Sequence, residues 1–211
     1  MLHDMKDLLG SSVLAIDGEM GHIHNVLFDD RSWAVRYLVV DVAKWLEDRQ
    51  EVVLAIPSVG QPDWTQRCVN VKLTKEQVRN SPNVDTKKPV TRQMEIAMRD
   101  YFYPSQGWID VGFGTGPILV PEKDYPVNTE NEDPHLRSVE DLSNYAVCAT
   151  GGEIGRLLSF IMDEVTWHLG YLEVKAGSWL HHKNVLIPTR WVKSISWGDR
   201  KLNLEHTREG T

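Results

Sequence analysis

Cysteine is scarce in this chain. Cys68 and Cys148 are the only two, and neither has a CxxC partner. That gives no basis for a disulfide framework or a cysteine-rich metal site, and leaves both as small core residues. Positive charge is also short: 23 Lys and Arg face 30 Asp and Glu, a net charge of −7. A nucleic-acid binder needs a basic face to displace condensed counterions, so no nucleic-acid partner is expected. No apolar run reaches the ~20 residues that cross a bilayer, so no integral membrane segment is predicted. The opening MLHDMKDLLGSS has no basic start followed by an apolar run, and the expected location is cytoplasmic.

Recognisable catalytic patterns are missing as well. GFGTGP at 112–117 ends in proline with no helical pattern after it, so it reads as a loop rather than a nucleotide cradle. No Ser/His/Asp or Cys/His pattern accompanies an oxyanion-type turn. The chain reads as a non-enzyme without a cofactor. A hydrolase would need a nucleophile and a base brought together in space.

What the chain has in quantity is aromatic rings and a repeat. Eight Trp and six Tyr supply large apolar areas, which suits small domains. Residues 5–46 align with 139–180 without a gap, and fourteen of the 42 pairs are identical. Self-similarity of this kind sets architecture before any local motif does. It implies two related small domains or two halves of one pseudo-symmetric unit. After Trp45 copy one is expected to carry about three extra residues, with register returning at Ile56-Pro57 against Ile187-Pro188.

Each copy reads as short strands. SVLAID, HIHNVLF, WAVRYLVVDV, EVVLAIP and CVNVKL are rich in β-branched and aromatic residues and are separated by Gly, Asp and Ser clusters. This predicts a mainly β protein in which each copy is a small antiparallel barrel or sandwich. The division is 1–80 and 137–211, with a linker over 81–136. Thr74 to Gln77 fits a capping box that opens a short helix. In the linker, Met94, Ala97, Met98 and Tyr101 share one helical face, predicting a helix over 91–103. Ser138 to Asp141 predicts a helical turn into copy two.

The repeated residues have structural explanations first. Gly18, Gly21, Gly152 and Gly155 supply turn chemistry, by positive φ or by close chain approach. Glu19/Glu153 and Asp29/Asp163 recur, and the two Asp sit where Asp bonds the local backbone. Trp33 and Tyr37 are four apart, so one face of an extended strand should carry both. With Trp167, Tyr171, Trp45 and Trp179 they form the candidate set for core, copy–copy or partner contact. An exposed Trp45 or Trp179 would favour a homo-oligomer. His22 and His24 alternate on a strand, and His181 and His182 are adjacent in a loop. Neither pair repeats, and no third and fourth ligand is evident, so no metal site is assigned.

DGEMGHIHNVLFDDRSWAVRYLVVDV resembles the opening of a PRC-barrel domain, with its Gly-turn, its aliphatic strand ending in Asp and its strand of RYLVVD type. VVLAIP and the VLIP of copy two also resemble a strand of that family. The likeness spans about residues 5–80 and 137–211. VTRQMEIAMRDYFYP and DPHLRS are similar to segments of bacterial tandem PRC-barrel proteins. The family is a small β-barrel found in the H subunit of photosynthetic reaction centres and in a ribosome-maturation factor, so the resemblance selects two small antiparallel barrels. The resemblance implies a protein-binding adaptor or regulatory role rather than catalysis. The alternative expectation is a small-molecule or metal site in the cleft between the copies, near His22, His24 or the His181–His182 loop.

Overall fold

The computed structural model describes residues 1–42, 44–46, 50–82, 101, 136–177 and 183–205. Most of the expected 91–103 helix, the stretch that follows it, Trp179, His181 and His182 lie outside them. Tyr101 is described, and its hydroxyl donates to the Gln77 carbonyl at 2.7 Å.

The protein is mainly β, as its strand-rich periodicity predicts. Copy one runs β1 (Leu2–Asp4), α1 (Met5–Leu8), β2 (Ser12–Ala15), β3 (Gly18–Asp29), β4 (Val35–Asp41) and β5 (Glu51–Ala55). A 3-10 turn at Ile56–Ser58 leads to β6 (Val59–Asp63), β7 (Cys68–Val71) and α2 (Lys75–Arg79). Copy two repeats the order with β8 (Leu136–Ser138), α3 (Val139–Leu142), β9 (Ala146–Ala149), β10 (Gly152–Asp163), β11 (His168–Ala176) and β12 (Lys183–Pro188). A 3-10 turn at Thr189–Trp191, β13 (Val192–Ser196) and β14 (Lys201–Leu204) complete it. The predicted caps form. Thr74 accepts from the Gln77 amide while Gln77 Oε1 accepts from the Thr74 amide at 2.9 Å. Ser138 caps α3 by accepting from the Asp141 amide at 3.2 Å. No helix among the described residues is long and apolar enough to cross a membrane.

The sheets have matching orders, β5-β4-β3-β2-β7-β6 and β12-β11-β10-β9-β14-β13. The expectation of wholly antiparallel sheets does not hold. β2 pairs β7, and β14 pairs β9, in parallel. The intervening strands bring the chain back to the sheet in its starting direction, which neighbour-to-neighbour hairpins cannot do. Each hydrogen-bonded path ends at the strands flanking the 3-10 turn, and among the described strands those ends do not pair with each other.

The copies also trade strands. β1 pairs with β10 of copy two, and β8 pairs with β3 of copy one. α1 rests on β10 and α3 on β3. Asp4 and Ser159 hydrogen-bond across one exchange. Asn25 donates to Ser138 at 2.7 Å across the other. One cluster of buried side chains, including Met5, Phe28, Trp33, Phe160, Trp167 and Leu202, runs through both copies.

Two register expectations change. The 3-10 turns at Ile56 and Thr189 stand 133 residues apart, against 134 in the aligned stretch, so copy one carries one extra residue. The Ile-Pro match is therefore two residues out of register. Leu54 and Ile187, both fully buried, are the structural pair. Trp33 and Tyr37 also fail to share a face. Trp33 sits in a left-handed turn (φ 57°), and the β3–β4 register shifts between Leu27 and Phe28, leaving Arg36 as the extra residue. Trp33 therefore enters the shared core, and Tyr37 points to a second cluster on the sheet's outer side.

Candidate interaction face and inter-copy groove

The seam between the copies is built by the repeated turn Asp-x-x-Ser/Thr-Trp. Asp29 Oδ1 accepts from the amides of Arg31 and Ser32 at 3.0 and 2.8 Å. Asp163 does the same for Val165 and Thr166 at 3.0 and 2.9 Å. Burial pushes Asp29 upward, but the Ser32 amide, the Arg36 charge and the Arg31 amide outweigh it and hold the carboxyl below 3.8. The Thr166 amide leads in lowering Asp163, against a smaller effect of burial. Both carboxylates are thus the turn groups that their place in the sequence predicts. Each turn ends in a left-handed Trp, at φ 57° and 55°. The Trp33 carbonyl accepts from Leu169 at 2.9 Å, and the Trp167 carbonyl from Val35 at 2.8 Å. The rings fill the seam, with Trp33 5.5 Å from Phe28 and 6.2 Å from Phe160 between centroids.

The glycines act as their positions require. Gly18 and Gly152 take φ of 127° and 117°. At Gly21 and Gly155 a Cβ would overlap the backbone carbonyls of Asp41 and Lys175, so close chain approach excludes any side chain.

The exchanged strands carry two pseudo-equivalent clasps. In one, Arg137 Nε donates to Asp30 Oδ2 at 2.9 Å, with its guanidinium 4.1 Å from the Trp197 ring. In the other, His3 stacks on Trp64 at 3.9 Å. His3 Nε2 approaches Glu164 Oε2 at 3.0 Å without hydrogen-bond alignment. The Met1 ammonium and the Trp64 indole bond Glu164 and, against the opposing effect of burial, hold its carboxyl below 4.5.

A groove of about 200 Å³ is lined by residues of both copies. Lys6 and Glu140 line it as equivalents, as do His24 and Leu158. His22 is not among its lining residues and contacts Ser12 instead. The register sets His22 opposite Asp41 and Asp41 opposite Glu51, and His24 Nε2 lies 3.4 Å from Glu51. Among the described residues no three His, Cys, Asp or Glu are grouped to hold a metal ion.

No protein-family model matches the sequence, and no curated protein does.

The outer faces of the two sheets distinguish the copies. In copy one, Leu27, Tyr37, Val39, Val53, Ala55 and Leu136 form a buried cluster. Their structural equivalents are Ile161, Tyr171, Glu173, Leu186, Pro188 and Leu2. Leu2 and Leu186 are 52% and 56% exposed, and the rest are half-buried. Of the five large apolar side chains exposed among the described residues, Met1, Leu2, Val165 and Leu186 lie on this face or at its end. Only Ile16 lies elsewhere. Of the six candidate aromatics, Trp33 and Trp167 thus meet at the seam, and Tyr37 is buried behind copy one. Tyr171 lies on the open face. Trp45 caps the end of copy one, its indole bonded to the Met20 carbonyl and its ring 5.6 Å from Lys75 Nζ. Sequence reading missed Leu2 and Leu186. The Val39-to-Glu173 difference carried the signal, because a carboxylate cannot be buried at low cost where a valine was.

Proposed function

We propose that the chain is a tandem PRC-barrel-type protein acting as a non-catalytic cytoplasmic adaptor, and that it binds another protein through the outer face of copy two. Most of the repeated residues form turns and the shared core, and the outer faces differ between the copies in exposure. The observation that carries the reading is the contrast between outer faces, buried in copy one and open around Leu2, Tyr171 and Leu186 in copy two. Contiguous apolar surface of this kind marks interaction sites. Leu186→Lys adds a charge at an exposed position and should abolish capture of specific protein from a native lysate while leaving the melting temperature unchanged. Capture unaffected by L186K refutes the reading.

A second reading is favoured by the groove, where Lys6, His24 and Glu140 edge apolar walls. There the chain would hold a small amphipathic molecule. A thermal-shift screen tests it: a ligand at 100 times its Kd stabilises by about 2.7 kcal/mol. A shift that Leu158→Trp abolishes supports the groove, and a screen without shifts rejects it.

A further inference from the structure

We propose that His3 is a proton-operated latch. Protonated, its imidazole fastens β1 to copy two; neutral, it leaves that strand loosely held. The latch works whatever the outer face binds.

Internal pseudo-symmetry supplies the control. The two clasps match position for position: His3 with Arg137, Glu164 with Asp30 and Trp64 with Trp197. In the Arg137 clasp the positive charge is permanent. It is paired with Asp30 at 2.9 Å and lies 4.1 Å from the Trp197 ring. The His3 clasp has a carboxylate and an indole in the same places, but it has a cation only when the ring takes up a proton. The neutral ring stacks on Trp64 at 3.9 Å with the planes 7° apart. Its buried Nε2 lies 3.0 Å from Glu164 Oε2 and makes no hydrogen bond. Protonation puts a positive charge on a ring that already lies over the indole and beside the carboxylate. Charge attraction needs closeness rather than alignment, and a cation over an indole gains from the ring quadrupole. His3 and Glu164 are only 18% and 22% exposed, so salt screens them less than a surface pair.

The neighbouring charges leave the imidazole as the group that changes. Beside β1, the Met1 ammonium pairs with Glu164 Oε1 at 3.0 Å, and Asp4 Oδ1 accepts from the Lys6 amide. In the turn after β10, Asp163 Oδ1 accepts from the Val165 and Thr166 amides, and Glu164 Oε2 accepts from the Trp64 indole. Both carboxyls are held below their ordinary values, so they stay charged where an imidazole ordinarily titrates, at about pH 6.5. Beside Trp64, Asp63 Oδ1 accepts from the Thr65 and Gln66 amides, and Arg67 donates to the Leu9 carbonyl. His168 is on β11, which β10 separates from β1. β1 is three residues long, so one side-chain contact is a large part of its hold.

Amide hydrogen exchange on the full chain at about pH 7.5 and about pH 5.5, corrected for the intrinsic pH dependence of exchange, tests the latch. On acidification the wild type should gain about tenfold protection at the amides that pair β1 with β10. The Glu164 amide, which donates to the Met1 carbonyl, should gain with them. His3→Gln should show no gain. His3→Arg, which copies the other clasp, should hold the acid-level protection at both pH values. The amides that pair β3 with β8, fastened by Arg137, should not change. A gain of equal size in His3→Gln would place the change on the Met1 ammonium or another histidine, and overturn the latch. A wild type without a gain, or a His3→Arg chain no better protected than the wild type at the higher pH, would overturn it too.

Discussion

Trp33 and Trp167 occupy the same left-handed turn in the two copies, and each lends its carbonyl oxygen to the strand that follows the other. Neither turn is a feature of its own half alone. The residues on either side, Ala34 and His168, form a bridge between the copies. The rings below that bridge belong to one core.

Trp33→Ala should therefore destabilise the whole protein. Trp33 is buried, and truncation of a buried Trp costs about 3–5 kcal/mol. Chemical denaturation followed by far-ultraviolet circular dichroism should show one transition, displaced to lower denaturant. Two separated transitions would mean that the copies unfold independently.

Glycine substitutions should rank by chain approach. Gly152→Ala meets no atom within 4 Å, and only its positive φ opposes it, at about 1 kcal/mol. Gly21→Ala drives a methyl group into the Asp41 carbonyl, and Gly155→Ala into that of Lys175. Neither backbone can yield without breaking a ladder, so both should cost about 3 kcal/mol or more. Urea midpoints of the three variants check the order.

The clasps should differ in strength. Arg137 and Asp30 are nearly buried, at 8% and 12% exposure, so Arg137→Ala removes a nearly buried ion pair and a cation–π contact and should cost about 3 kcal/mol. His3→Ala removes a stacked ring and a misaligned contact, and should cost about 1 kcal/mol. Equal losses in thermal unfolding would contradict the assignment of a tight and a loose clasp.

Acid should weaken the turns. Asp29, Asp163 and Glu164 all have folded-state pKa values below their ordinary ones. Their contribution is complete above the unfolded values, near pH 4, and is lost as pH falls through the lower folded values. The melting temperature should fall as pH drops below about 4. Asp29→Asn and Asp163→Asn should each make that drop shallower while lowering stability at neutral pH. An unchanged acid slope in both variants would remove the turns from the account.

The repeat was legible from identity between the two segments, and the turn glycines, the Asp turns and the capping box at Thr74 because each depends on a few neighbouring residues. The strand exchange was not. β1 and β8 are three residues each, LHD and LRS, too short for any period, and their partners lie in the other copy. The parallel pair of β2 and β7 was hidden for the same reason, since pairing across four intervening strands leaves no local mark. The separation of Trp33 from Tyr37 came from one bulge residue, Arg36, which a strict period of two cannot anticipate. On the outer face the signal was present in Glu173 and Asn184, and needed the correct register of β12 to be read.

The exchange of β1 and β8 also fixes an order of events during synthesis. A ribosome that has released residues 1–82 has made every strand of the first sheet except the one that completes it. β3 must wait for Leu136–Ser138 to emerge, and β1 must wait for Asp163. The nascent first half thus lacks its β8 partner along Leu27 and Phe28 throughout the translation of the insert. Such an edge is a binding site for chaperones and a hazard for aggregation. The time spent in that state scales with the length of the insert, so shortening or lengthening it should alter folding yield.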